Sequence, residues 1–393
     1  MKDGKRNMNW VNEKTMTDIF ISSDNILSPI GSDTAENFLQ LKQNVSGIKK
    51  QEDKSMSEQP FYAALFDNEN GFSKIEYGEK YSKFEKLLIT SISDALANTQ
   101  IKATDTKTVL IISSTKGNIS LLETEEPSDE LNKKISLHTS AKLVANYFQF
   151  SNPPVIISNA CISGMLAILT GMRLIQSGQY EHAVIAGADV ISKFILSGFQ
   201  SFQAISPSVC KPFDAARDGI NLGEGAGTVI LTNNKKYSSG IKVTGGSVSN
   251  DANHISGPSR TGEELNIAIG MAMKMAGVTS TDIDFISAHG TATVFNDEME
   301  AKAINLANLQ FVPVNSLKGY FGHTLGAAGV IESVISIQSL KENTIIPTPG
   351  FKNLGTTQQV NICTSLYQSS LHHCLKTASG FGGCNAALVF SKQ

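Results

Sequence analysis

The sequence has no stretch approaching the ~18 to 20 uninterrupted apolar residues of a membrane-spanning helix, and no membrane association is expected. It has no long basic run, and its formal net charge is -3, so nucleic acid is not an expected partner. Cysteine is scarce and scattered: the five residues 161, 210, 363, 374 and 384 form no C-x-x-C pair. That spacing argues against a disulfide framework or a zinc site and for a reducing compartment. The segment Met1 to Thr17 is polar, lacks the apolar core of a signal peptide, and reads as a frayed extension. With 41% apolar and 18% charged residues, the whole chain has the composition expected of a globular, soluble, cytoplasmic protein.

At 393 residues the chain exceeds one minimal core. Continuous apolar runs at 108–113 (TVLIIS), 154–158 (PVIIS) and 182–187 (HAVIAG) predict strands buried on both faces. Helical spacing between and around them covers 35–43, 81–98, 139–148 and 164–176, while 49–80 is a polar excursion. The second half repeats the grammar, with strands at 241–249, 283–288 and 312–316 and helices at 263–276 and 327–340. Buried strands alternating with helices imply βαβ units and a largely parallel sheet. The unit 155–178 matches the unit 312–340 in kind, down to an Asn at each strand end (Asn159, Asn315), which hints at internal duplication.

Three corners carry residues suited to chemistry. Cys161 lies between a buried strand and a helix of small residues. The helix N-terminus would favour its thiolate and supply N–H donors to a thioester oxyanion; an ordinary buried cysteine is the alternative. His289, in A-H-G-T-A-T, ends a strand where α/β sheets bind ligands, and Gly290 beside it would admit substrate to the backbone. His323 sits in K-G-Y-F-G-H-T-L-G-A-A-G, whose glycines suggest a phosphate loop but lack the G-x-x-x-x-G-K-[ST] order. Lys318 in this corner is placed to orient a histidine or carboxylate. G-F-G-G-C-N at 380–385 reads either as a gate around Phe381 or as a turn with a core phenylalanine. The stretch Lys211 to Gly227, dense in glycine and charge, reads as a structural network of buried ion pairs.

Together these motifs, six in order from the Cys161 corner through Lys211–Gly227, His289, Lys318 and Ile346-Pro347-Thr348 to Asn385, resemble the elongating β-ketoacyl-[acyl carrier protein] synthases of the thiolase-like superfamily. The resemblance implies a five-layered αβαβα fold of two pseudo-duplicated halves, at 18–240 with the nucleophile and 241–393 with the histidines. It implies decarboxylative condensation of an acyl group on Cys161 with malonyl-carrier protein, His289 and His323 binding the malonyl thioester carbonyl. Cys161 and Phe381 N–H groups would form the oxyanion hole, and Lys318 and Glu300 the pair that holds the histidines. Thr291 and Thr293 would bind pantetheine, Phe381 with Gly382 would gate the acyl pocket, and Phe199 and Phe202 would help bound it. No metal or organic cofactor is implied; the partners are acyl carrier protein and a second, identical or related, subunit.

The chain departs from the family pattern at Asn159, at Cys384 and in its first strand, which puts the substrate in question and leaves the reaction intact. Two other readings stay open. A non-catalytic, chain-length-factor-like subunit would be expected to lose the nucleophile. A degradative thiolase would need a second cysteine as base, for which Cys384 is the candidate.

Overall fold

The computed structural model describes residues 17–67, 80–252 and 257–393, so the expected extension and part of the 49–80 excursion lie outside the described residues. In chain order the first half supplies strands β1 (Phe20–Leu27), β2 (Thr108–Ser113), β3 (Val155–Ile157), β4 (His182–Asp189) and β5 (Gly225–Thr232). The second supplies β6 (Ile241–Asn250), β7 (Phe285–Ser287), β8 (Pro313–Asn315), β9 (His373–Gly380) and β10 (Cys384–Lys392). Each set pairs in the same spatial order, third–second–fourth–fifth–first: β3-β2-β4-β5-β1 and β8-β7-β9-β10-β6. In each, the first two junctions are parallel and the last two antiparallel. This repeat of order and direction is the duplication that the two Asn-ended strands hinted at.

The sheet is therefore mixed, where a largely parallel one was expected. Its antiparallel members are β5, which follows β4 after a long connection carrying the short helix Lys193–Ser201, and β10, which follows β9 through a tight turn; apolar runs alone do not reveal either reversal. Among the described residues, the two halves join into one hydrogen-bonded sheet where Phe20 pairs with Lys242.

The principal helices are α1 (Thr34–Lys42), α2 (Lys83–Ala97), α3 (Leu137–Tyr147), α4 (Ser163–Gln176), α5 (Lys193–Ser201), α6 (Glu263–Ala276), α7 (Val294–Leu306), α8 (Lys318–Phe321) and α9 (Ala328–Glu342), and a further short helix, Asp129–Lys134, precedes α3. Helix α2 starts on a full capping box, Ser82 with Glu85, and covers the outer face of the first half. Helices α6 and α7 cover the outer face of the second. Between the two half-sheets lie α4 and α9. Twelve of the fifteen residues of α9 are buried, the signature of a helix surrounded by protein on all sides. The layers therefore run α2/α3, sheet, α4/α9, sheet, α6/α7. The two central helices meet at their N-terminal ends through Gly164 and Gly329, where a Cβ on Gly164 would fall 2.6 Å from Val330 N.

Candidate active site

The nucleophile corner is short. After β3 ends at Ile157, Ala160 adopts a left-handed conformation (φ 44°) that turns the chain into α4. Ser163 braces the turn, accepting from Asn159 N–H at 2.8 Å and donating to Ala160 C=O at 2.6 Å. Cys161 is left facing a cavity of about 330 Å³ that also exposes His289, His323, Thr291, Thr293 and Phe381.

The helix-start argument for a thiolate does not hold. Burial pushes the Cys161 thiol up to about 12, and the opposing positive charge of Lys318 is too weak to reverse it. Cys161 rests as a thiol, 3.0 Å from His323 Nε2. Its Sγ and one nitrogen of each histidine lie within 4.8 Å of one another, and the two imidazoles stand edge to face, 5.4 Å between centroids. Burial first, then the charge of Lys318, hold both histidines well below their ordinary value; His323 and then Lys376 add to this at His289, and Lys376 at His323. Both are neutral at physiological pH. Nδ1 of neither ring has a hydrogen-bond partner among the described residues, so neither ring is held in one tautomer from behind.

Each histidine is fixed through its backbone. Glu300, fully buried on α7, accepts from His289 N–H and Gly290 N–H, both at 2.8 Å, and from Thr377 Oγ1 at 2.6 Å. Gly290 serves its left-handed φ of 43° and its close packing rather than substrate approach: a Cβ there would fall 2.6 Å from Ser316 Cβ. His323 N–H donates to Asn221 C=O at 2.6 Å, and its own C=O accepts from Gly223 N–H at 3.1 Å. A side chain at Gly223 would meet Phe321 C=O at 1.9 Å, so glycine is obligatory there. Asp189, at the end of β4, accepts from Gly326 N–H at 2.6 Å and holds the loop that follows His323.

Of the expected site residues, Cys161, His289, His323, Thr291, Thr293, Phe381, Phe199 and Phe202 converge on the one cavity. Phe381 stacks on Phe199, 6.1 Å between centroids, and meets Phe202 edge-on at 5.6 Å. Thr291 and Thr293 bond to each other at 3.0 Å on the opposite wall. Three expectations need correction. Gly382 does not line the cavity; its φ of 86° serves the turn. Lys318 and Glu300 are not a pair: the ion partner of Lys318 is Glu332 on α9, which also lies 2.7 Å from Lys376 on β9. Both Lys318 and Glu300 stand behind the histidines, outside the cavity lining. The Lys211–Gly227 stretch is structural as expected, but hydrogen bonds from backbone N–H groups to Asp214 and from Arg217 to backbone carbonyls dominate it. Among the described residues it holds one ion pair, Glu224–Lys83 at 2.7 Å.

Glu332, Lys376, Phe295 and Asn296 were not anticipated. The first two had a signal: Glu332 is the one charge in the first three turns of its helix, and Lys376 the one lysine in its strand. Phe295 had none, because its surroundings come from the fold.

A thiol at a helix start, facing two neutral imidazoles on a duplicated five-layer α/β frame, defines a condensing acyltransferase of the thiolase-like class. Family models of the beta-ketoacyl synthase N-terminal and C-terminal domains match residues 16–236 and 241–352. The chain belongs to the beta-ketoacyl synthase family, whose members form carbon–carbon bonds in fatty-acid and polyketide biosynthesis. It is 32% identical to 3-oxoacyl-[acyl-carrier-protein] synthase 2 of Rhizobium meliloti over 65% of this chain and 65% of that protein. With the enzyme of the same name from Vibrio cholerae it shares 28% over 95% of this chain and 99% of that one. Among solved structures, a ketosynthase in complex with its chain length factor from Xenorhabdus doucetiae superposes with a TM-score of 0.83 at 25% identity, covering 98% of this chain and 100% of that one. A beta-ketoacyl synthase from Burkholderia phymatum gives a TM-score of 0.86 at 23% identity, covering 96% and 100%.

Proposed function

We propose that the protein condenses an acyl group, carried as a thioester on Cys161, with a malonyl unit on acyl carrier protein. The observation that carries this reading is the 4.8 Å cluster of Cys161 with two neutral histidines at the floor of an apolar cavity. Acyl transfer begins as Cys161 Sγ attacks the incoming thioester, its proton passing to His323 Nε2 at 3.0 Å. The carrier thiol leaves with that proton, and both imidazoles are again neutral. Malonyl thioester then enters along Thr291 and Thr293. His289 and His323 turn N–H donors toward its carbonyl oxygen, where negative charge grows as the C–C bond to CO₂ breaks. A ring not held from behind permits His323 to accept in the first step and donate in the second. The enolate carbon attacks the acyl-Cys161 carbonyl, and collapse releases a 3-oxoacyl thioester and the Cys161 thiolate, which regains a proton.

Lys318 and Glu300 serve this scheme as positioning residues, and Phe381 with Phe199 and Phe202 shapes the acyl entrance. Cys384 is poorly suited as a thiolase base: its Sγ points at Phe381 C=O, 3.4 Å away, and it does not line the cavity. A cytoplasmic, dimeric enzyme is the fitting context. The edge strand β3 leaves Val155, Ile156 and Ile157 only half-buried beside the nucleophile corner, an edge suited to a second subunit.

Incubation with a mixed pool of acyl carrier proteins, followed by mass spectrometry, tests the proposal. Acyl mass on the Cys161 peptide, discharged as 3-oxoacyl thioester when malonyl-carrier protein is added, is the expected result. No acylation at Cys161 would favour a non-catalytic partner subunit.

A further inference from the structure

Lys376 interrupts the apolar strand β9, and its side chain has no exposed surface. Burying an ammonium is costly unless it is paired and hydrogen-bonded. Nζ lies 2.7 Å from Glu332 Oε2 and donates to the carbonyls of Thr377 (2.8 Å), Ser287 (3.2 Å) and Ala288 (3.3 Å). The other oxygen of Glu332 already carries Lys318. Two lysines thus share one carboxylate where every member is at most 4% exposed; burial lowers Lys376 and the Glu332 charge opposes this, and with both lysines protonated the group carries +1. The neutral Lys318–Glu332 pair would have packed at lower cost, so the second lysine calls for a role beyond stability.

Its place in the chain indicates that role. Ala288, whose carbonyl accepts from Lys376, directly precedes His289, and α8, which carries Lys318, ends just before His323. The next residue of β9, Thr377, donates to Glu300, the carboxylate that holds the His289 corner. Adjacent residues of one strand therefore touch both buried acids behind the histidines.

We propose that Lys376 is a positioning residue for the condensation: with Lys318 and Glu332 it forms a buried triad of net positive charge that favours the enolate formed at His289 and His323. The inference rests on the decarboxylative reading above. The charged and titratable groups facing the two imidazoles are Lys318, Lys376, Glu332, Glu300 and Cys161. Burial and Lys318 act first on both rings, and Lys376 acts in the same direction, disfavouring the imidazolium. The same field lowers the energy of an anion at that place, and it does so more as charge develops than in the neutral thioester.

Lys376→Met removes the charge and the hydrogen bonds; Lys376→Gln removes the charge and retains amide donors toward the carbonyls. Both leave a neutral Lys318–Glu332 pair, so folded protein is expected. Acylation of Cys161, read by mass, should persist in both. Malonyl decarboxylation should fall about tenfold or more, and the acid limb of its pH profile should move up by ~1 pH unit, because the imidazoles protonate more readily without the second cation. Equal shifts in the two variants support an electrostatic role. A wild-type profile in Lys376→Gln, or failure of both variants to fold, would assign Lys376 to architecture alone and overturn the proposal. Absence of acylation and decarboxylation in the wild-type protein would instead sink the underlying reading.

Discussion

The two halves of the molecule share a strand order yet finish their equivalent corners differently. In the first half, β3 ends at Ile157 and α4 begins at Ser163, a tight elbow whose one reactive group is the Cys161 thiol. In the second, β8 ends at Asn315 and α9 begins at Ala328, and the longer connection folds into a one-turn helix and the His323 loop. Asn315 closes β8, whereas Asn159 lies two residues past the end of β3. A duplicated frame thus brings two helix starts together at Gly164 and Gly329, and the unequal corners supply a nucleophile from one side and an imidazole from the other. Most of the buried charged side chains around the site, Lys318, Glu332, Lys376 and Glu300, belong to the second half, while Asp189, which holds the loop after His323, belongs to the first. On the proposed scheme the first half provides the nucleophile, and the second provides its proton acceptor His323 together with the buried charge behind both imidazoles.

That division can be broken from the second half outward. Glu300→Gln removes the carboxylate that accepts three hydrogen bonds behind His289. It should cost about 2–3 kcal/mol of stability, seen as a lower denaturant midpoint, and should slow decarboxylation more than acylation. If acylation suffers equally, the two corners are not functionally separate.

The next effect is on pH dependence. Both histidines are held neutral by burial and by the lysines, so their folded values lie below those of the unfolded chain. As pH falls below ~6.5, the unfolded state takes up protons that the folded state refuses, and stability drops by about 1.4 kcal/mol per pH unit for each imidazole. Urea titrations between pH 7 and pH 5 measure this; in His289→Ala the dependence should weaken. The smallest effect is reserved for Cys384→Ser. Because the side chain lies off the cavity, condensation should stay within about twofold of wild type, whereas a thiolase-type base at that position would make the variant inactive.

Much of this layout was legible in the sequence. Cys161 and His289 stood where an apolar strand stops and small residues begin, His323 stood in a Gly-rich corner, and the structure brings all three to one cavity. Helix α6 spans the expected 263–276, because helical spacing there runs unbroken to Gly277. What remained hidden depends on contacts between distant segments. The resting thiol at Cys161 could not be read, since a helix start and a buried cavity act in opposite directions and only burial in three dimensions decides between them. Lys318 was recognised by motif, yet its partner Glu332 is set by which turn of α9 faces it. The exposed Phe295 at the cavity mouth and the edge-lying β3 likewise follow from topology rather than local pattern.

The central claim is that decarboxylation depends on an imidazole that acyl capture does not use, and His289→Ala tests it most directly. Acyl mass on Cys161 and CO₂ release from malonyl-carrier protein would be followed in the same samples of variant and wild type. Complete acylation with decarboxylation reduced by about 10²–10³-fold is the predicted result; decarboxylation at the wild-type rate would contradict the account.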